Sequence, residues 1–264
     1  MNILILSWRG SGHPNAGGAE ISTQEHAGGW VAAGHRVTLF TSDYAGSKKE
    51  EVVDGVKIIR AGPQVFGVQI EALKWYLFKS HPKFDLIIDQ FHGIPFFTPF
   101  FVRSKKLAFI HEVTKEIWKL NPWPKPWYFI PAIVGKFIEP LIFRIFYRKV
   151  PFMTVSQSTK NDLISWGIPG GNITIIHNGV TIPHIKMPAK ENKKTLIYLG
   201  SLSKDKGIED ALQVFSILKN QDFQFWVVGK SDPRYLNFLQ KMCYDLGIEK
   251  QVKFWGFVSE KEKF

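Results

Sequence analysis

Glycine-rich and polar residues follow the short apolar runs of this sequence, and their types could support chemistry. The run Ile3–Ser7 leads into GSGHPNAGGAEIST, which becomes helical near Glu20. Glycines between a strand and a helix allow backbone N–H groups to approach a phosphate. The stretch therefore predicts a phosphate-binding loop, for a dinucleotide cofactor or for a sugar nucleotide, and the remaining alternative is a loop without a ligand.

The dinucleotide alternative fits this loop poorly. Gly10 and Gly12 begin a G-x-G-x-x-G pattern, but position 15 is Asn and the later glycines follow too late. Asp43 follows the second predicted strand and could bind a ribose. The loop is nevertheless too long for the tight turn that places a pyrophosphate on a helix N-terminus.

Polar residues also follow the other predicted strands. In open α/β sheets, ligands bind beyond the carboxyl ends of the strands. The pattern therefore predicts a cleft lined by strand-end loops. These loops contain Asp89, Gln90, Phe91 and His92; His111 and Glu112; Ser156; His177, Asn178 and Gly179; and, in the second half, GSLSKDKG and GKSD.

Strands and helices alternate along the first 182 residues. Apolar strands separated by helices predict an α/β fold with a parallel sheet covered on both faces. The predicted strands are Ile3–Ser7, Val37–Thr41, Val56–Ala61, Leu86–Asp89, Leu107–Ile110, Met153–Val155 and Ile173–Ile176. The predicted helices are approximately 19–33, 69–80, 127–148 and 158–166.

The same pattern restarts after PHIKMPAKENKK, which we interpret as a linker over 183–194. Strands are predicted at Thr195–Leu199, Phe223–Val228 and Val252–Trp255. One helix carries Ile208 to Leu218, and another is entered through Asp232 and Pro233 and ends at Gly247. Residues 1–182 and 195–264 therefore predict two Rossmann-like domains, and we expect the second to be incomplete.

The formal charge of +11 is concentrated in one aromatic segment. Ten Lys or Arg and three Glu lie between Arg103 and Lys149. A basic amphipathic helix rich in Trp and Phe binds anionic bilayer surfaces, so we expect residues 119–149 to contact a membrane. The alternative is a helix packed on its own sheet with a solvated basic face. Recurring charges, Pro131 and Pro140 argue against a membrane span.

Other features limit the classes of function. No nucleic-acid-binding signature accompanies the charge, so nucleic acid is not an expected partner. The single cysteine, Cys243, excludes an intrachain disulfide framework and a cysteine-based zinc site. The start MNILILSWRG lacks the basic region and cleavage site of a signal peptide. We expect a cytoplasmic protein that lies peripherally at the inner face of the cell membrane.

Several segments together resemble the retaining glycosyltransferases of family 4, which have the GT-B fold. They are AGGAE, AAGHRVTLFTS, FIHE, TVSQSTKNDLISWGIPGGNITIIHNGV and LIYLGSLSKDKGIEDALQVF. The resemblance covers the whole chain in order. It implies transfer of a sugar from a nucleotide diphosphate sugar to a hydroxyl group, without a metal or other cofactor. The sequence is most similar to members that transfer a hexose to a lipid-linked or cell-surface glycan.

The resemblance also implies roles for individual residues. Gly17 and Gly18 match the loop that approaches the donor diphosphate, and His111 matches a histidine near the sugar. Lys206 matches the lysine that neutralises the leaving diphosphate, where negative charge grows in the transition state.

Other positions are assigned less directly. Asp89, His92 and Glu112 are candidate acceptor-binding residues. Glu20 is interpreted as a first-turn acid that favours the helix dipole, with a site role as the alternative. Asn178 and Gly179 match the family's interdomain turn and are interpreted as structural.

Two departures from the family pattern qualify the donor site. Ser201 is expected to bind the donor, but it stands where the family usually has an arginine, and Lys204 is a possible substitute for the missing charge. The family's Glu-x7-Glu region should follow VKFWGFVSEKEKF and is not among these 264 residues. The alternative function is therefore a truncated or split product, or a binding subunit that needs a second polypeptide for its donor site.

Overall fold

Apolar β-branched runs form the strands of the protein, and glycines or polar turns end them. The computed structural model describes residues 1–64, 67–115, 118, 129–179, 192–218 and 222–263. The chain divides into two units, Met1–Val180 and Thr181–Phe264. The predicted linker 183–194 lies mostly outside the described residues, and its last residue, Lys194, opens a strand. The domain boundaries therefore stay a prediction.

The first unit contains an eight-stranded sheet in the order β3-β4-β2-β1-β5-β6-β7-β8. All described pairings in it are parallel except that of β3 with β4. The strands are β1 (Asn2–Ser7), β2 (Arg36–Thr41), β3 (Glu50–Val53), β4 (Val56–Arg60), β5 (Leu86–Gln90), β6 (Lys105–Ile110), β7 (Phe152–Thr154) and β8 (Ile173–Ile175).

Helices cover both faces of this sheet. They are α1 (Gly18–Ala32), α2 (Gly67–Phe78), α3 (Thr98–Phe101), α4 (Phe129–Ile133), α5 (Glu139–Ile142) and α6 (Gln157–Ser165). Alternate residues of β1 point to opposite layers. Ile3 and Ile5 pack with Ala27 of α1, whereas Leu4 and Leu6 pack with Val68 of α2. The predicted parallel sheet covered on both faces is confirmed.

The predicted helix over 127–148 contains two π-helical segments. They are Val134–Ile138, which follows α4, and Phe143–Tyr147, which follows α5. Phe143 and Tyr147 are fully buried against Phe152 of β7. Pro140 lies in the first turn of α5, where its missing N–H is tolerated. Residues 119–128 of the predicted membrane-binding segment lie outside the described residues.

The second unit contains a three-stranded parallel sheet in the order β11-β10-β9. Its elements are β9 (Lys194–Leu199), α7 (Ile208–Leu218), β10 (Phe223–Val228), α8 (Pro233–Asp245), β11 (Val252–Gly256) and α9 (Glu260–Lys263). Asp232 caps α8 by accepting bonds from the amides of Arg234 and Tyr235. Cys243 is buried in the core of this unit, as the sequence predicted.

Candidate functional site

The glycine loop after β1 ends at α1, and Glu20 holds it there. The Glu20 carboxylate accepts one bond from the Gly17 amide (2.7 Å) and one from Arg9 Nε (3.0 Å). Glu20 is buried, with 2% of its surface exposed. The Gly17 amide is therefore bonded to this carboxylate. The same carboxylate forms an ion pair with Arg9 beside the first turn of α1. Glu20 is a first-turn acid of α1, and a role in the site stays the alternative.

The amides of Gly18 and Ala19 remain available at the start of α1. Intrahelical bonding begins with the Ile21 amide, which donates to the Gly17 carbonyl. In the described part of the chain, no acceptor is bonded to the Gly18 or Ala19 amides. Exposed N–H groups at a helix N-terminus, together with the helix dipole, favour an anion.

Gly17 and Gly18 are not required by the packing of this chain. A Cβ added at Gly18 would meet no described atom within 4 Å, and one at Gly17 would meet only the Glu20 carboxylate at 3.7 Å. Gly17 also has an ordinary φ of −133°. In contrast, a Cβ at Gly12 would lie 3.0 Å from the Tyr44 hydroxyl. The earlier glycine serves the fold, whereas the later pair leaves open space beside free amides.

Trp8 and Arg9 connect this loop to the end of β5. The Arg9 guanidinium lies 4.1 Å from the centre of the Trp8 ring, and Trp8 stacks on His92 at 5.6 Å. Neither residue was among the site residues predicted from the sequence, because that prediction considered only the glycines after β1. The available signal was their position directly after Ser7, where strand-end residues meet the ligand edge.

His111 lies at the end of β6, the neighbour of β5. Its ring contacts Phe109 at 4.5 Å, and its carbonyl accepts a bond from the Thr159 hydroxyl. The buried Nε2 atom has no hydrogen-bond partner among the described residues. A buried polar atom without a protein partner at this edge is a natural contact for a ligand.

The surroundings of His111 keep its imidazole largely neutral at pH 7. Burial lowers its pKa from the ordinary value of 6.5. The carboxylates of Glu20 and Glu112 act to raise the pKa, and the imidazoles of His26 and His92 act to lower it, but the net direction is downward. The structure thus brings Glu20, His92 and His111 into one electrostatic neighbourhood.

Asp89 does not belong to this group. It is fully buried, and its carboxylate accepts bonds from the Phe96 amide, from the amide and hydroxyl of Thr98, and from the Tyr147 hydroxyl. The Asp89 side chain points into the protein and holds the loop after β5, which argues against the predicted role in acceptor binding. Burial raises its pKa despite these bonds.

The remaining candidates of the first unit lie around the same edge. Glu112 is exposed next to His111. Ser156 caps α6 by accepting a bond from the Thr159 amide. Asn178 accepts a bond from Ser22 of α1 at 2.8 Å, which attaches the end of the unit to that helix.

The loop after β9 carries the candidate residues of the second unit. Ser201 and Lys206 are exposed, and the Tyr198 hydroxyl lies within hydrogen-bond distance of both of their carbonyl oxygens, at 3.1 and 3.2 Å. Lys206 Nζ lies 3.8 Å from the Asp205 carboxylate. A loop that Tyr198 holds in place thus carries the Lys206 ammonium group at the surface.

Gly229 allows a close approach behind that loop. The Gly200 amide donates to the Val228 carbonyl, and the Leu202 amide donates to the Lys230 carbonyl. A Cβ at Gly229, which has φ +156°, would lie 1.7 Å from the Gly200 carbonyl oxygen. Only glycine fits this position, so the loop ends after β9 and β10 lie side by side.

The described residues contain no group of three or more His, Cys, Asp or Glu placed to hold a metal ion. Among the same residues, no helix combines the length and apolar character needed to cross a bilayer.

Comparison with known proteins matches both units to glycosyltransferase models. A family model described as Glycosyltransferase Family 4 matches residues 16–182, and one described as Glycosyl transferases group 1 matches residues 183–264. An uncharacterized glycosyltransferase of Methanocaldococcus jannaschii is 23% identical over 289 residues, which cover 98% of this chain and 70% of the relative.

Solved structures share the fold at low identity. Sucrose-phosphate synthase from Thermosynechococcus elongatus superposes with a TM-score of 0.72 at 16% identity, over 99% of this chain and 72% of that one. A Rickettsia africae glycosyltransferase gives 0.68 at 17% identity, over 98% and 69%. Anabaena HepE, solved in complex with UDP and glucose, gives 0.67 at 17%, over 98% and 70%. The fold is that of GT-B glycosyltransferases.

Proposed function

Since this chain belongs to glycosyltransferase family 4, we propose that it transfers a hexose from a nucleotide diphosphate sugar to a hydroxyl of a lipid-linked or cell-surface glycan, with retention of the anomeric configuration. The observation that carries this proposal is the pair Gly17 and Gly18. The packing of the fold does not require glycine at either position. The absence of side chains leaves space beside the free amides of α1.

The diphosphate of the donor is the anion that this site would bind. Breaking the glycosidic bond places negative charge on the leaving diphosphate. Amides at the start of α1 and the Lys206 ammonium are groups that stabilise such charge without a metal. Anabaena HepE, a structural neighbour, has been solved with UDP-glucose, which supports a nucleotide-sugar donor. The neutral imidazole of His111, with its unpaired Nε2, would contact a sugar hydroxyl.

Substitution of Gly18 tests the proposal directly. Gly18→Ala adds one methyl group where no described atom lies within 4 Å, so folding should be unaffected. We expect calorimetry to show that the variant binds UDP-glucose or GDP-mannose at least tenfold more weakly than the wild type, because the methyl group takes the space beside the free amides. Gly28→Ala, on the same helix with equally open space, is the control. Equal donor affinity of both variants and the wild type would contradict the proposal.

The stereochemistry of the transfer needs its own experiment. Proton NMR of the product from a competent reaction reports the anomeric configuration through the coupling of the anomeric proton. We expect the configuration of the donor sugar to be retained. Inversion would overturn this part of the proposal and leave sugar transfer itself intact.

We propose that the protein works at the cytoplasmic face of an anionic membrane. Large apolar side chains recur every four residues on the outside of the 129–147 helix: Ile133, Phe137, Leu141 and Ile145 are 50, 61, 52 and 58% exposed. Lys136, Arg144 and Arg148 are exposed along the same helix. An apolar stripe flanked by basic residues is the pattern of an interfacial helix.

Co-sedimentation tests this association. The protein should pellet with vesicles that contain phosphatidylglycerol, and binding should weaken as salt screens the charges. Phe137→Ser with Leu141→Ser should reduce binding, whereas Ile217→Ser, at a 78% exposed position of α7, should not. A protein that stays in the supernatant at low salt would leave the apolar stripe without this role.

A second candidate function is a binding subunit completed by another polypeptide. The observation that favours it is the open face of the second sheet. Ile197, Leu199 and Trp255 are 59, 53 and 42% exposed, and Trp226 contacts Trp255 on this face. Parallel sheets are normally covered on both faces. Donor binding and sugar transfer by the 264-residue chain alone would overturn this alternative.

A further inference from the structure

A cleft of about 600 Å³ lies at the amino ends of β5, β6 and β7, the opposite edge of the sheet from the candidate active site. Its walls include Leu86 at the start of β5, Lys105 at the start of β6, and Pro151 just before β7. None of the residues assigned to sugar transfer lines it. The cleft is therefore a separate feature of the first unit.

Three lysines line this cleft, namely Lys105, Lys106 and Lys149. Within the described ranges, none of them forms an ion pair with a carboxylate, and no acidic residue lines the cleft. Three lysines that line one space, with no acidic residue among the lining, favour a multiply hydrogen-bonding anion. A phosphate group is the common biological anion of that kind.

Apart from Ser104, the other residues that line the cleft are apolar, and one of them, the aromatic Phe146, contacts a second aromatic residue outside the lining. Leu107 and Val150 contribute to the walls together with Phe146. Phe146 packs against Phe100 with ring centres 4.8 Å apart, and Phe100 is 63% exposed. A free inorganic phosphate would leave this apolar surface exposed to water. A phosphate attached to hydrocarbon would cover it.

The cleft also adjoins the proposed membrane-binding helix. Phe146 belongs to the last π-helical segment of the 129–147 helix, and Lys149 lies two residues after the end of that segment. Ile145, the last residue of the exposed apolar stripe, precedes Phe146. A protein lying with this helix on a bilayer would bring the lysines to the depth of the lipid phosphates.

We propose that the cleft binds the phosphate of an anionic phospholipid headgroup, with the lipid's apolar part against Phe100 and Phe146. This inference rests on the proposed membrane association and goes beyond it, because it assigns one specific lipid site. Such a site would orient the protein, so that attachment to the membrane depends on particular lysines rather than on the total positive charge.

The test compares two triple variants of equal charge. Lys105, Lys106 and Lys149 are changed to alanine in one, and in the other Lys48, Lys49 and Lys57, which lie near β3 and β4 at the far edge of the sheet. Binding is measured by co-sedimentation with vesicles of phosphatidylcholine and phosphatidylglycerol. We expect the cleft variant to lose about 100-fold in affinity, about fivefold per lysine, and the control variant to lose little. Circular dichroism and thermal unfolding confirm that both variants fold.

A soluble short-chain phosphatidylglycerol separates a lipid site from a simple phosphate site. It should bind the wild type and not the cleft variant, whereas glycerol phosphate alone should bind at least tenfold more weakly. Equal affinity for the two ligands would overturn the lipid assignment. Equal loss of vesicle binding in both triple variants would overturn the assignment of the lipid site to the cleft.

The proposed sugar transfer is measured separately with a water-soluble acceptor. Both variants should retain it, because neither set of lysines lies at the candidate active site. A wild-type protein that transfers sugar but does not bind vesicles would refute the lipid site alone. A wild-type protein that binds vesicles but no donor would refute the transfer reaction alone.

Discussion

The Glu20 carboxylate accepts a hydrogen bond from the Gly17 amide at 2.7 Å, three residues earlier in the chain. The same carboxylate forms an ion pair with Arg9 at 3.0 Å. One buried side chain thus connects the end of β1 to the start of α1. In the part of the chain that the structure describes, the next amides, those of Gly18 and Ala19, have no bonded acceptor.

Removal of this connection should weaken folding. Glu20→Ala leaves Arg9 and the Gly17 amide without their partner, and we expect a loss of about 3 kcal/mol in the free energy of unfolding. Urea unfolding measures this loss. Glu25→Ala, at an exposed position of the same helix, should change stability by less than about 0.5 kcal/mol. Equal stability of the two variants would show that the Glu20 contacts contribute little.

The architecture of the first unit followed from the sequence because its strands are almost purely apolar. Both faces of β1 are buried, so Ile3 to Leu6 form a continuous apolar run that is easy to recognise. β3 was missed for the opposite reason. It is an edge strand that pairs on one side only, and two of its residues, Glu50 and Glu51, are charged.

The sequence predicts which residues follow the strands at one edge of the sheet, but it does not predict the directions of their side chains. Position at a strand end predicts the correct edge of the sheet for both His111 and Asp89. It does not tell which side chain faces solvent, and Asp89 is drawn inward by Thr98 and Tyr147, which are distant in sequence. The Arg9 contact to Glu20 was equally hidden, because it depends on the shape of the glycine loop.

Asp89 makes stability depend on pH in an unusual direction. Its pKa is raised above 3.8 in the folded protein, so between 3.8 and the raised value the native state binds more protons than the unfolded state. The contribution of Asp89 to stability is therefore largest at low pH and declines as pH rises through this window. The difference in unfolding free energy between wild type and Asp89→Asn should fall as pH rises above about 4.

The same variant tests whether Asp89 binds the acceptor. Because the side chain is fully buried, Asp89→Asn should change the apparent affinity for the glycan acceptor by less than about threefold, at a temperature where both proteins are folded. A large rise in KM for the acceptor with an unchanged KM for the donor would restore the acceptor-binding interpretation.

Lys206 should matter more for the donor than Lys204, although both are exposed and lie in the same short helical turn. A charge-assisted hydrogen bond to a phosphate contributes about 2 kcal/mol, so Lys206→Ala should weaken nucleotide-sugar binding by about 30-fold. Lys204→Ala is the matched control. Calorimetry with UDP-glucose and GDP-mannose measures both. If Lys204 substitutes for the arginine that Ser201 replaces, the two variants will lose affinity equally.

His111 should give sugar transfer a characteristic pH dependence. Its pKa is lowered below 6.5 by burial, so the protonated form accumulates only at acidic pH. A protonated imidazole cannot accept a hydrogen bond at Nε2, and we expect kcat/KM to rise with pH below 6.5 and to level off near 7. His111→Gln should lower the plateau by about tenfold to 100-fold, the value of one lost substrate contact, and should remove the acidic limb. An acidic limb that persists in this variant would assign the titration to another group.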